Sequence, residues 1–148
     1  MKFYAGNMDE QTFEETDSNS FKPGNTIRID AGDLKKQHTL FEGVILETGI
    51  KIGGKARSQM VVECRDIAYQ ATQGRKNRIF EKKKDSDMIK EVLKAYGSVK
   101  VDATTYQHPE MVQYYCSDWD FALSRADANG LFVCTDGKDI KVFKPKVS

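Results

Sequence analysis

Apolar positions alternate with polar ones through the first half of the chain and recur at helical spacing in the second. In "FKPGNTIRIDAG", Ile27, Ile29 and Ala31 alternate with polar neighbours, which predicts a half-buried strand entered through a Pro23-Gly24 turn. "TLFEGVILETGIKI" carries Leu40, Phe41, Val44, Ile45, Leu46, Ile50 and Ile52 and reads as a second strand, broken or bulged at Gly43. Gly53-Gly54 offers a hairpin turn, and "SQMVVECRDIAYQAT" returns with Met60, Val62 and Cys64 on one face. Three consecutive strands joined by Gly-rich turns predict an antiparallel meander or a small barrel. The first twenty residues are polar and acidic, with isolated aromatics at Phe3, Tyr4 and Phe13, and read as loop and edge strand.

The pattern changes at "QGRKNRIFEKKKDSD", where six of the ten residues from Arg75 to Lys84 are basic. This run reads as a solvated connection between two layers. Asp85, Ser86 and Asp87 then supply N-cap candidates for a helix. Its apolar stripe is Met88, Ile89, Val92, Leu93 and Tyr96, and Gly97 is placed to end it as a left-handed cap. A strand near "SVKVDA" and a His108-Pro109 turn lead into the short alternating strand "MVQYY". Ser117 caps a second helix, with Asp120 at capping-box spacing. Trp119, Ala122, Leu123 and Ala126 form its expected buried face, while Asp118, Asp120, Arg125 and Asp127 are expected mostly outward. Asn129-Gly130 closes it, and "LFVC" and "IKVF" form a hairpin around Asp136-Gly137. The expected fold is α+β: an antiparallel, β-barrel-like meander over residues 1–74, then a smaller α+β part with two helices over residues 75–148.

Composition narrows the function. The 148 residues carry 23 basic and 22 acidic side chains, a formal net charge of +1. That balance argues against a dedicated nucleic-acid binder, whose affinity comes largely from neutralising phosphates. The basic run also lacks the interleaved aromatics that stack on bases. No apolar run approaches the ~18 residues of a membrane span, and no signal-peptide pattern opens the sequence. The three cysteines, Cys64, Cys116 and Cys134, include no CxxC pair and read as reduced thiols.

Cys116, His108 and Asp118 are the only trio resembling a nucleophile, base and orienter. Cys116 precedes a helix whose N-terminus could lower its pKa, yet nothing in the sequence brings His108 to it. His38 and His108 lack metal-ligand spacing, and Gly53-Gly54 lacks the following Lys-Ser/Thr of a phosphate loop. The reading is non-enzymatic, with no catalytic, cofactor or metal residues and no cofactor. A cysteine hydrolase using Cys116 is the alternative from another class.

Three ordered stretches, "LFEGVI", "RIFEKKKDSDMIKEVLKAYG" and "MVQYYCSDWDFALSRADANGLFV", resemble the Vgr-type spike proteins of type VI secretion systems. That family is related to the late control gene D proteins of contractile phages. The matching positions are Phe41, Gly43 and Ile45 in the first stretch. Arg78, Ile79, Phe80, Asp87, Ile89, Val92, Leu93, Tyr96 and Gly97 match in the second. Val112, Gln113, Tyr114, Ser117, Asp118, Phe121, Arg125, Asn129 and Gly130 match in the third. Cys116 departs from the family, which often has an acidic residue there. The stretch from Ser117 to Gly130 looks closest to the Vgr-like proteins of Bacteroidetes, often described as Rhs-element Vgr proteins.

The resemblance implies a structural module of a spike hub, built from tube-like β-barrels with an α+β domain attached. It implies a trimer of the full-length protein that joins an Hcp-like tube and other baseplate proteins to a puncturing needle, with effectors as possible cargo. It also implies assembly in the bacterial cytoplasm and export by the injection apparatus itself. Beside the family the chain is expected to begin inside the first barrel and to stop before the second is finished. A phage or tailocin baseplate hub is the alternative within the same class of machine.

Overall fold

A computed structural model describes residues 2–4, 19–33, 36–52 and 58–146. The chain divides into two compact units, Met1–Asp66 and Ile67–Ser148, against the expected junction at 74/75. The difference is the 3-10 turn Ile67–Thr72, whose Ala68 and Ala71 are buried in the core of the second unit.

The first unit is a four-stranded antiparallel sheet. Its strands are β1 (Lys2–Tyr4), β2 (Thr26–Asp33), β3 (Lys36–Lys51) and β4 (Gln59–Asp66), in the spatial order β1-β4-β3-β2. Among the described residues the sheet is an open meander and does not close into a barrel. Ile45, Met60 and Val62 form its buried core, with Phe21, Ile27 and Cys64 packed against them, as the period-two alternation requires. The turn before β2 is as expected: the Asn25 amide donates to the Lys22 carbonyl at 3.1 Å, and Gly24 has φ 94°. A type II turn needs that positive φ at its third residue, and glycine adopts it without a Cβ penalty. The Gly53-Gly54 turn and Phe13 lie outside the described residues.

Gly43 is not the break in β3. The register slips on either side of it instead, at Leu40 against β2 and at Leu46 against β4, where one residue is left without an opposite. Gly43 itself lies where an added Cβ would overlap the Arg65 carbonyl and the Phe41 ring. Its role is close approach between neighbouring strands.

The second unit contains β5 (Lys76–Lys84), α1 (Asp85–Leu93), β6 (Ser98–Val101), β7 (Gln107–Cys116), α2 (Asp118–Asp127), β8 (Phe132–Asp136) and β9 (Asp139–Phe143). β5 and β7 form an antiparallel ribbon, and β6-β9-β8 form a three-stranded sheet in which β6 runs parallel to β9. The basic run is therefore a strand rather than a connection. On its inner side Lys76 and Arg78 reach one buried carboxylate and Phe80 enters the apolar core, which the count of charges alone concealed. The His108-Pro109 pair is likewise inside β7 and forms no turn. A two-stranded ribbon leaves half of its N–H groups without a ladder partner, so the missing proline donor is tolerated.

The core gathers Met88, Ile89, Val92 and Leu93 of α1 with Phe121, Ala122 and Ala126 of α2. Phe80 of β5 stacks on Phe121 with ring centroids 5.3 Å apart, and Ile140 and Val142 of β9 complete the layer. Trp119 packs at the margin of this core, while Phe121, which the sequence reading left off the buried face, is its centre on α2.

The two helix starts differ. In α2 the Ser117 hydroxyl accepts from the Asp120 amide at 3.0 Å and donates to the Asp120 carboxylate at 2.7 Å, so the expected cap is present. At the other end the Leu131 amide donates to the Ala126 carbonyl at 3.0 Å, so Asn129-Gly130 closes the helix. In α1 the N-cap position is Lys84, without a side-chain cap, and Asp85 and Ser86 lie inside the first turn. The cap comes from across the fold: the Thr104 hydroxyl accepts from the Ser86 amide at 3.0 Å. Gly97 does not adopt a left-handed conformation after α1. It sits against the Lys138 carbonyl, where any Cβ would collide with backbone.

Candidate functional site

Asp118 opens α2 and was expected to face solvent, yet its side chain is 1% exposed. Alternation along β5 explains the burial, because Lys76 and Arg78 are two residues apart and project to the same side. Lys76 Nζ lies 2.6 Å from Asp118 Oδ2, and Arg78 Nη1 lies 3.1 Å from Oδ1. Gln113 Nε2 of β7 donates to Oδ1 at 2.9 Å, and the Tyr96 hydroxyl donates to Oδ2 at 2.8 Å. Lys76 also donates to the Tyr96 oxygen at 2.8 Å. The carboxylate thus ties β5, β7, the turn after α1 and the start of α2 together.

These bonds set its charge state. Burial alone would raise the Asp118 carboxyl, but the Gln113, Lys76 and Tyr96 hydrogen bonds and the Arg78 charge outweigh it and hold it below the ordinary range. Lys76 is raised in turn, first by its hydrogen bond to Asp118. Both groups stay ionised at neutral pH, which suits a fixed structural pair and not a proton carrier. Arg78 and Tyr96 belong to the second matched stretch and Gln113 and Asp118 to the third, so those two stretches meet at one carboxylate. Lys76 was missed, although its spacing from Arg78 was the available signal.

A second buried aspartate lies in the first turn of α1. Asp85 Oδ2 accepts from Asn129 Nδ2 at 2.9 Å and lies 3.0 Å from His108 Nε2. Arg125 Nη1 stands 3.6 Å from Oδ1, which has no closer polar partner. Asn129 and Arg125 are motif residues, and they hold Asp85 rather than the matched Asp87, which is exposed.

The Cys116, His108 and Asp118 trio does not assemble. Cys116 ends β7 and His108 is near its start, eight residues and roughly 26 Å of extended strand away. His108 is engaged by Asp85 instead. Burial, with Asp120 and Asp118 nearby, pushes the Cys116 thiol up, opposite to the lowering expected from a helix N-terminus. All three cysteines are free thiols. No group of His, Cys, Asp and Glu suited to a metal occurs among the described residues, and no helix among them is long and apolar enough to cross a membrane.

The fold is shared with phage tail proteins. The 43 kDa tail protein of prophage MuSo2 from Shewanella oneidensis matches 99% of this chain with a TM-score of 0.73 at 10% identity. The tail protein from Neisseria meningitidis MC58 matches 84% with a TM-score of 0.57 at 13% identity. The chain spans 44% and 43% of those two structures. No curated protein matches it in sequence. The Alg8 N-terminal domain family model matches residues 1–148, and the chain belongs to that family.

Proposed function

We propose that the chain is a non-catalytic structural module of a contractile, tail-like injection apparatus, in the position of a Vgr-type spike hub. The observation that carries this reading is the fold match to a prophage tail protein over 99% of the chain. The Asp118 lock supports it, since Arg78, Tyr96, Gln113 and Asp118 of the ordered stretches brace strands and helices around one carboxylate. In this reading the full-length protein forms a trimer, meets an Hcp-like tube and other baseplate proteins, and carries effectors or a needle. It assembles in the cytoplasm and leaves through the apparatus itself.

A phage or tailocin baseplate hub is the second reading, favoured by the same prophage match. Electron microscopy of sheathed particles from producing cells, with antibody label on this domain, tests both. Label at the baseplate end of the particles is expected, and particles devoid of the protein would overturn the reading. Sheath and tube genes of secretion or of phage type beside its gene separate the two.

A further inference from the structure

Strand β8 is one edge of the β6-β9-β8 sheet, and the register shows which of its backbone groups are left over. The Asp102 amide donates to the Val142 carbonyl at 2.8 Å and the Ser98 amide to the Lys138 carbonyl at 2.9 Å. Residues 138 and 142 therefore turn their backbone groups towards β6. Alternation turns Asp139, Lys141 and Phe143 the other way, onto Asp136, Cys134 and Phe132 of β8. Val133 and Thr135 are left with N–H and C=O groups on the outer edge. Among the described residues, the one hydrogen bond to either backbone beyond the ladder is weak, from the Cys134 thiol to the Thr135 carbonyl at 3.6 Å.

Unpaired groups along a strand edge are a template for another strand, and proteins discourage it with lysine, proline or a bulge. The other edges of the second unit carry such features. β6 has Lys100, β5 is rich in lysine and turns left-handed at Lys82, and β7 has Pro109 and a register slip. β8, with the sequence FVCTD, has no lysine, no proline and an unbroken register. Its single charge, Asp136, stands at the hairpin turn and is held by Lys141 at 2.7 Å.

We propose that β8 pairs antiparallel with β8 of a second copy, about a two-fold axis through Cys134. Val133 of each copy then stands opposite Thr135 of the other, so that the groups left over on one edge meet the same groups on its mate. A two-fold contact requires that self-complementarity. Cys134 meets its own counterpart in a non-hydrogen-bonded pair, with Cα atoms about 4.5 Å apart. Phe132, 60% exposed, comes diagonally beside Cys134 of the second copy, and part of its ring leaves the water. The two three-stranded sheets become one of six strands. The contact is short beside the ~800 Å² per partner of a standard interface, so it is weak in the isolated chain. It rests on the second unit alone, and its failure would leave the reading of the apparatus untouched.

Oxidation of the 148-residue chain by diamide, which takes two thiols to a disulfide, tests the register at about 100 μM protein. The wild type is expected to give a dimer bridged through Cys134. Phe132→Cys with Cys134→Ser moves the thiol two residues along the same exposed face, where the two-fold separates it from its counterpart by about 13 Å. Asp136→Cys with Cys134→Ser does the same in the other direction. Each variant alone should bridge roughly tenfold more slowly than the wild type or worse, while an equimolar mixture recovers the rate, because positions 132 and 136 stand opposite each other. Thr135→Pro removes an outward N–H that β9 does not use, and it should slow Cys134 bridging by roughly the same factor. A wild type that forms no Cys134 dimer overturns the proposal. So does bridging at position 132 alone as fast as at 134, a mixture no faster than its components, or a folded Thr135→Pro that bridges at the wild-type rate. Should Thr135→Pro not fold, the register variants, which alter only exposed side chains, decide the matter.

Discussion

The Tyr96 hydroxyl and the Asp118 carboxylate meet at 2.8 Å, joining the turn after α1 to the first residue of α2 across 22 positions of sequence. That bond is one of four that enclose a single buried charge, and the stability of the second unit depends on them unequally. Asp118→Asn leaves Lys76 and Arg78 facing each other without an anion. The expected loss is about 2–3 kcal/mol, less than for a fully buried pair because both cations keep about a third of their surface in water. Tyr96→Phe removes one donor of four and costs about 1 kcal/mol. Urea unfolding followed by circular dichroism measures both, and equal losses would refute the ranking.

The same carboxyl sets an acid limit. Its folded pKa lies below the ordinary value of 3.8, so the unfolded chain takes up the proton first. Its contribution is fully present above about pH 4 and is lost as the pH falls from there through the folded value. Stability measured against pH should therefore fall more steeply below pH 4 in the wild type than in Asp118→Asn. Parallel curves would show that the charge is not held as described.

Glycines at two close approaches should behave differently from one in open space. Gly97→Ala and Gly43→Ala drive a methyl into the Lys138 and Arg65 carbonyls, and each is expected to cost roughly 1–3 kcal/mol. Gly49→Ala meets nothing within 4 Å and should be close to neutral. Thermal unfolding of the three variants compares them directly.

The capping contacts give a paired expectation. Ser117→Ala and Thr104→Ala each remove a hydroxyl that accepts a first-turn amide, and each should cost about 1 kcal/mol. Thr104 lies 18 residues from the amide it serves, so its loss should be felt in tertiary unfolding more than in any isolated α1 peptide.

Cys116 should be a slow thiol. Its pKa is pushed up by burial, so at neutral pH iodoacetamide should modify it more slowly than a free peptide thiol. Faster alkylation would return the cysteine hydrolase reading to consideration.

What the sequence discloses follows the range of the interactions. The stripe Met88, Ile89, Val92 and Leu93 and the Ser117–Asp120 cap are decided within one or two turns, and both are readable without coordinates. So is the Met60, Val62 and Cys64 face, because strand alternation is local. Asp118 was misread because its helical position alone gives no hint of Lys76 and Arg78, which arrive from 42 and 40 residues away. Asp85 and Ser86 looked like caps for the same reason: Thr104 and Asn129, which engage them, are remote in sequence. Gly97 shows the limit most plainly, since a residue chosen for lack of bulk and one chosen for a left-handed turn are the same letter.

The position of β9 in its sheet has a consequence for the order of folding. Residues Asp139–Phe143 lie between β6 and β8 and pair with both, while β6 and β8 do not pair with each other. During synthesis β6 must therefore wait some forty residues for its neighbour, and the sheet can form only once its central strand has left the ribosome. Assembly of the second unit is thus timed by its last strand, and polypeptides halted before Asp139 would present two unmatched edges to whatever is nearby.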